Sequence, residues 1–446
     1  MSTFLFASIP VVAHTTNPLP FAARLVEGGH RVLWYAGRRF FDQIEAVGAE
    51  PVPYVEAFDF GDLPIEEAFP HLAGLSGIQA IRRAFAEVFV GHAPQRVADL
   101  RAVLAREHVD AMLSDGLMYG VGLCHELGGP PWATFGDGPL PFEDADTPPF
   151  GPALLPMAGP LGRLRNRVVG ELGRRVVFRP AQRRYDQIRA DLGLGRSRGD
   201  VLDEATSPYL HLQGCTPSFE YPRQTLPPQL HWVGALRPDP PRAWTPPPWW
   251  PEVVEGSRPV VLVSQGSLRP DVTELLLPAV TGLAAEDVLV VVTTGAADPA
   301  ELEQAHGGPL PANVRCTRFV PYDTLLPHSR VFVTNGGYSG VTLALAHGVP
   351  LVQAGVTEEK AEIAARIHWT GVGVRLGTTR PSGTAVRDGV RRVLDGPRFR
   401  AAAARVQSEM AQHDAGREGA ALLAELARTQ DVVSGPVPSG WSDQGR

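Results

Sequence analysis

Lysine is almost missing from this chain. Of 41 basic residues one alone, Lys360, is lysine; the rest are arginine. A coding bias toward arginine explains the scarcity and draws attention to the single exception. Cysteine is scarce too. Cys124, Cys215 and Cys316 are far apart, odd in number and flanked by apolar residues. That spacing excludes a zinc site and a disulfide framework, and leads us to expect buried free thiols of a reducing cytoplasm. Positive charge is in deficit, with a net charge of −7, so the basic face that nucleic-acid binding requires is not expected. No uncharged run approaches the roughly 18 residues of a membrane span. Residues 1–13 are apolar but have no basic region before them, so no signal peptide is expected and a cytoplasmic location is.

What remains is an ordinary globular balance, 44% hydrophobic and 20% charged. At 446 residues the chain exceeds one core and suits two domains. Short apolar runs alternate with stretches of helical spacing. Strands are expected at 3–9, 30–36, 50–55, 109–114 and 131–135, with helices at 18–27, 40–47, 76–106 and 119–127 between them. Residues 136–165 read as an irregular loop and 161–192 as an Arg-studded helical stretch. The segment 235–258 holds seven prolines and three tryptophans and reads as a stiff linker. Alternation then resumes. Strands are expected at 259–264, 288–293, 314–319, 331–334, 350–354 and 372–376, and helices at 271–284, 322–327, 339–347, 358–370 and 382–395. Such alternation specifies parallel sheets covered by helices, an α/β fold. The expected division is a first domain over 1–234, the linker 235–258, a second domain over 259–396, a helical segment 397–430 crossing back to the first domain, and a disordered tail 431–446.

Parallel sheets bind ligands beyond the carboxyl ends of their strands. After the strand Val331–Thr334 comes Asn335-Gly336-Gly337-Tyr338-Ser339-Gly340, directly before a helix. Glycines let backbone approach a ligand, and a helix N-terminus offers free N–H groups and partial positive charge to a diphosphate. Alone, such a turn is weak evidence. In order along the chain stand Phe319-Val320-Pro321, the Asn335-Gly336-Gly337 turn, Gly348-Val349-Pro350 and Glu358-Glu359-Lys360. Together they resemble the nucleotide-sugar signature of the family 1, UDP-glycosyltransferase-like, GT-B glycosyltransferases. The branch is that of plant secondary-metabolite and bacterial macrolide transferases. His14 after the first strand and Gly29-His30-Arg31-Val32 extend the likeness over nearly the whole chain.

The resemblance implies two Rossmann-like domains facing across a cleft. It also implies a UDP- or dTDP-sugar on the second domain, near Ser267, Phe319, Val320, Asn335, Gly336, Gly337, Ser339, Gly340, Glu359 and Lys360. Departures are visible. Asn335 stands where the family has a diphosphate-binding His, and Asn can donate but carry no charge. Gly340 replaces a hydroxyl residue, with Ser339 adjacent. Phe319 replaces the base-stacking Trp. Glu359 falls on the sugar-binding acid and Lys360 on the usual Gln. Ser264-Gln265-Gly266-Ser267 resembles a second phosphate-side loop, and Thr293-Thr294-Gly295 a rim of the base pocket.

The resemblance also makes His14 the general base, and imidazole titrates in the right range for that role. A carboxylate is expected to orient it. Asp115, at the end of the fourth strand, is the first candidate; Asp137, after the fifth, is the second. No metal cluster and no cofactor are expected, the N–H groups at 336–340 holding the diphosphate. The expected reaction is inverting transfer of a hexose or deoxyhexose to a bulky apolar acceptor, such as a macrolide, ansamycin, other polyketide or flavonoid, in antibiotic biosynthesis or inactivation. Segments 54–75, 85–92 and 135–160 are rich in apolar residues and would shape its pocket. The protein is expected as a monomer or homodimer. Two other classes remain: a catalytically silent binding partner of the same fold, and a sugar-nucleotide epimerase.

Overall fold

The apolar runs become the strands of two separate parallel sheets. The structure, a computed structural model, describes the chain except residues 62, 64, 76, 198, 238–243, 267–270 and 436–446. The first sheet contains β1 (Thr3–Ala7), β2 (Arg31–Tyr35), β3 (Glu50–Val52), β4 (Ala111–Asp115), β5 (Trp132–Gly136), β6 (His211–Gln213) and β7 (Leu230–Trp232). The second contains β8 (Val260–Ser264), β9 (Leu289–Thr293), β10 (Val314–Thr317), β11 (Ser329–Thr334), β12 (Leu351–Gln353) and β13 (Gly373–Arg375). The strand orders are β3-β2-β1-β4-β5-β6-β7 and β10-β9-β8-β11-β12-β13. Every pairing is parallel. This is the doubly wound, Rossmann-like order, met twice.

Helices cover both faces of each sheet, so the central strands have no solvent side. Val-Val-Leu-Val-Ser of β8 is buried throughout, which is why it reads as a continuous rather than an alternating run. Four large apolar clusters result, one on each face of each sheet.

Several expected elements are redrawn. The helix expected over 76–106 is Gly77–Arg83, a wider turn at 84–89, and Ala93–Leu104. The break falls at Gly91 and Pro94, where the α-helical hydrogen-bond ladder cannot run through. The described part of the 235–258 stretch is not a free linker, since Trp244, Trp249 and Trp250 pack against the second domain's core. The final helix, Ala415–Thr429, lies on the first domain, with Leu423 and Leu426 in the same cluster as Phe4, Phe6 and Phe21. The tail expected to be disordered from 431 is ordered as far as 435. Val433 is buried, and its N–H donates to the Tyr209 carbonyl. Its remainder lies outside the described residues.

Candidate active site

In each sheet the strand order reverses beside the strand that comes first in the chain, between β1 and β4 and between β8 and β11. Loops leaving the two strands at that point diverge and open a crevice, the usual ligand position in such sheets. At the first crevice, β1 feeds a five-residue helix, Val12–Thr16, that carries His14. β4 ends in Asp115, and β5 leads into Asp137.

His14 Nδ1 lies 3.3 Å from Asp115 Oδ1 and 3.2 Å from Asp137 Oδ2. Both candidate carboxylates therefore face the same nitrogen, and the other ring nitrogen is left for a substrate. Asp115 is fixed. Its Oδ1 accepts the Leu117 N–H at 2.7 Å and its Oδ2 the Ile9 N–H at 3.2 Å. Asp137 Oδ2 is buried and makes no aligned hydrogen bond, nor does His14 Nδ1. Burial pushes the imidazole down, but Asp137 and then Asp115 outweigh it, with Glu359 adding from the second domain. The net is a rise from 6.5 to about 9. Burial raises the Asp137 carboxyl, and Asp115 adds to the rise while His14 and Asn17 oppose it.

At the second crevice the turn after β11 needs its glycine. Gly336 has φ 91°, and a Cβ there would sit 2.6 Å from Gln353 Nε2. The amides are not all free for a diphosphate. Gly336 N–H donates to Thr334 Oγ1 at 3.1 Å and Gly337 N–H to Asn335 Oδ1 at 3.3 Å. Tyr338, Ser339 and Gly340, the rest of the expected 336–340 set, are placed differently. They form the first turn of the helix Tyr338–Ala346, where N–H groups lack intrahelical acceptors. Asn335 gives its amide to the Gln265 carbonyl. It braces the loops after β8 and β11 against each other instead of pointing freely outward. At Gly340 a Cβ would meet only Phe332 and Tyr322, at 3.5 and 3.6 Å, so space does not forbid the hydroxyl residue it replaces. Phe319 leaves a bare ring, 58% exposed, while Val320 beside it is buried. Ser267 lies outside the described residues.

The two crevices face each other. Asn17, at the end of the His14 helix, donates through Nδ2 to Ser339 Oγ at 3.1 Å, and Ser339 Oγ lies 3.2 Å from Asn17 Oδ1. The same side chain reaches Asp137. Glu359 stands directly before the helix Lys360–Thr370, and burial followed by the Asp137 charge holds its carboxyl above the usual range. Lys360 is buried and paired with the more exposed Glu358. Beside the cleft a buried ionic cluster joins the domains. Arg366 Nε donates to Glu220 at 2.9 Å, and Glu362 Oε1 accepts the Gly151 and Ala153 N–H groups at 2.9 and 2.6 Å. Sequence reasoning gave no role to Asn17 or to this cluster. The signal for Asn17 was its place directly before Pro18, one helical turn from His14; the cluster had none, because its members are scattered through the chain.

Known proteins show the same architecture. The chain is 46% identical to 4'-demethylrebeccamycin synthase of Lentzea aerocolonigenes, over 92% of this chain and 96% of that one. It belongs to the family 1 GT-B glycosyltransferases. Residues 277–426 match the model of the erythromycin biosynthesis protein CIII-like C-terminal domain. Among solved structures, the calicheamicin glycosyltransferase CalG4 superposes with a TM-score of 0.73 at 21% identity, covering 96% of this chain and 99% of that one. The glycosyltransferase VinC, solved with dTDP, gives 0.68 at 22% identity and the same coverage. The transferase is therefore an enzyme of natural-product type, and no helix among its described residues is long and apolar enough to cross a membrane.

Proposed function

We propose that this transferase moves a hexose or deoxyhexose from a UDP- or dTDP-sugar to a hydroxyl of an apolar natural product, in the cytoplasm, with inversion and without a metal. The observation that carries the reading is the Asn17–Ser339 hydrogen bond. It brings the base of one domain within a side chain's reach of the free amides of the other. The acceptor hydroxyl loses its proton to the His14 nitrogen opposite Nδ1. Its oxygen bonds to the anomeric carbon as the bond from that carbon to the diphosphate oxygen breaks. Asp115 and Asp137 stabilise the imidazolium, and the first-turn amides at 338–340 take the charge developing on the leaving diphosphate. Glu359 and Lys360 border the same space and are assigned to the sugar.

An apolar acceptor fits the wall beside the base. Phe60, Phe69 and Val88 form a cluster that packs on Val11, the residue before the His14 helix. The printed names of relatives point the same way. One makes 4'-demethylrebeccamycin, another is a mycarosyltransferase for demethyllactenocin, and a third glucosylates zeaxanthin. VinC was solved with dTDP. Incubation with dTDP- and UDP-sugars and a panel of such acceptors should add one hexose or deoxyhexose mass, with the anomeric proton coupling showing inversion. Retention of configuration, or sugar epimerised with no acceptor consumed, would remove this reading.

A further inference from the structure

A line of buried polar side chains runs from the first sheet into the second domain. Thr134 is on β5, and His211 and Gln213 are on β6 beside it. Thr134 Oγ1 lies 2.8 Å from His211 Nδ1, and His211 Nε2 lies 3.1 Å from Gln213 Oε1. Gln213 Nε2 then donates twice, to the Gly138 carbonyl at 2.9 Å and to the Tyr338 hydroxyl at 3.0 Å. The direction of each bond is forced. A carbonyl only accepts, so the amide turns its NH₂ to Gly138 and its oxygen to His211. Burial pushes the His211 imidazole down to about 4, so it is neutral and its one proton sits on Nε2. Nδ1 takes the hydrogen bond of the Thr134 hydroxyl.

Each end of the Gln213 amide meets a segment of the cleft. Gly138 directly follows Asp137. Gly214 N–H donates to the Gly136 carbonyl at 2.9 Å, so residues 213 and 214 hold the backbone on both sides of Asp137. The fit is close, since a Cβ at Gly136 would overlap the Gln213 side chain. Asp137 Oδ2 has no aligned hydrogen bond of its own. Asn17 and this backbone grip therefore decide where the carboxylate stands against His14. Tyr338 belongs to the other domain and opens the helix Tyr338–Ala346, whose first turn is assigned to the diphosphate. We infer that Gln213 is a positioning residue of the transfer reaction, setting Asp137 and the first turn of the diphosphate helix at a fixed separation across the cleft. The inference rests on the transferase reading for what those two ends do. A side chain that only filled this part of the core would need no amide, because a buried polar group costs free energy unless it is hydrogen-bonded.

Two readouts, neither of which needs transfer, separate positioning from packing. His14 faces Asp115 on β4, Asp137 after β5 and Glu359 from the second domain, and NMR titration of its imidazole reports their charges. Gln213→Met keeps the length of glutamine and donates nothing. It should move the His14 midpoint from about 9 toward 6.5 and weaken dTDP roughly threefold or more by calorimetry. In an Asp137→Asn background it should shift the midpoint no further, yet still weaken dTDP. Tyr338→Phe removes one oxygen and keeps the grip on Gly138. It should weaken dTDP and leave the midpoint in place, and it decides the matter if Gln213→Met does not fold. A Gln213→Met protein with a lowered melting temperature but wild-type midpoint and dTDP affinity overturns the inference, as does wild-type dTDP affinity in Tyr338→Phe. Protein that meets both readouts and moves no sugar removes the proposed function instead.

Discussion

The two crevices share one geometry and treat charge in opposite ways. Around the first, Asp115, Asp137 and, from across the cleft, Glu359 act on one imidazole. Around the second, the groups facing the cleft at 338–340 are the Ser339 hydroxyl and backbone N–H groups, all neutral. On the proposed mechanism the difference follows from what each crevice stabilises. A base that has taken a proton becomes a cation and needs anions. A leaving diphosphate is already an anion, and fixed dipoles hold it without first having to be stripped of counter-charges. The same fold thus supports either task, and the residues after the strands decide which.

The comparison breaks most sharply at His14. His14→Ala should lower turnover by roughly 10²–10⁴-fold while calorimetry finds dTDP binding unchanged; wild-type turnover with an alcohol acceptor rejects the base assignment. Gly336→Ala is its counterpart on the other side. Backbone held at positive φ costs an alanine about 1–3 kcal/mol, and the new methyl meets Gln353. It should weaken dTDP about tenfold or more yet leave the pH profile in place. A moved profile would mean that the halves are not separate in function.

Next comes the carboxylate pair. Transfer needs neutral imidazole, and the two aspartates hold its pKa at about 9, so kcat/KM should climb with pH and level off near that value. Asp137→Asn removes the larger favourable charge and should move the climb to lower pH. Asp115→Asn should move it the same way, with some loss of turnover because Asp115 also fixes the Ile9 and Leu117 amides. A profile that stays put in Asp137→Asn assigns the imidazole to Asp115 alone. Smaller still, Lys360→Gln should change the ranking of donor sugars a few-fold in kcat/KM with free dTDP affinity constant; an unchanged ranking leaves Lys360 with Glu358 only. The smallest expected effect is none at all. Chelation with EDTA should not change the rate, and loss restored by Mg²⁺ or Mn²⁺ would overturn the metal-free mechanism.

The strands that carry the site were legible because they are buried on both sides. Val260–Ser264 and Val331–Thr334 announce themselves as unbroken apolar runs. β6 and β7 went unread, since three residues such as His211–Gln213 show no period. The helix Pro299–His306 fell in a gap although Asp298 and Glu301 form a capping box at its start. At the site, His14 could be placed by its position after a strand. Its partner could not, because distance along the chain says nothing about which way Asp115 and Asp137 point. The state of the Gly336 and Gly337 amides was equally hidden. It depends on the Thr334 hydroxyl and the Asn335 side chain folding back on the turn that they precede.

The helix Ala415–Thr429 has a consequence for how the molecule is made. Gly419 lies so close to Phe21 that a Cβ would sit 2.3 Å from the ring, and Leu423 and Leu426 close the cluster over Phe4 and Phe6. A ribosome reads the first domain first, but the cover for one face of that domain's sheet emerges after the second domain's strands. The second domain, whose core draws on Cys215 and Phe219 and on residues from 235 onward, is complete while its elder neighbour still waits with bare apolar surface. Released chains truncated after residue 411 should therefore show a protease-resistant second domain and a protease-sensitive first one, and those ending past 433 should protect both. The protein is built in order and finished out of order, which makes a helix translated after the second domain the keystone of the first.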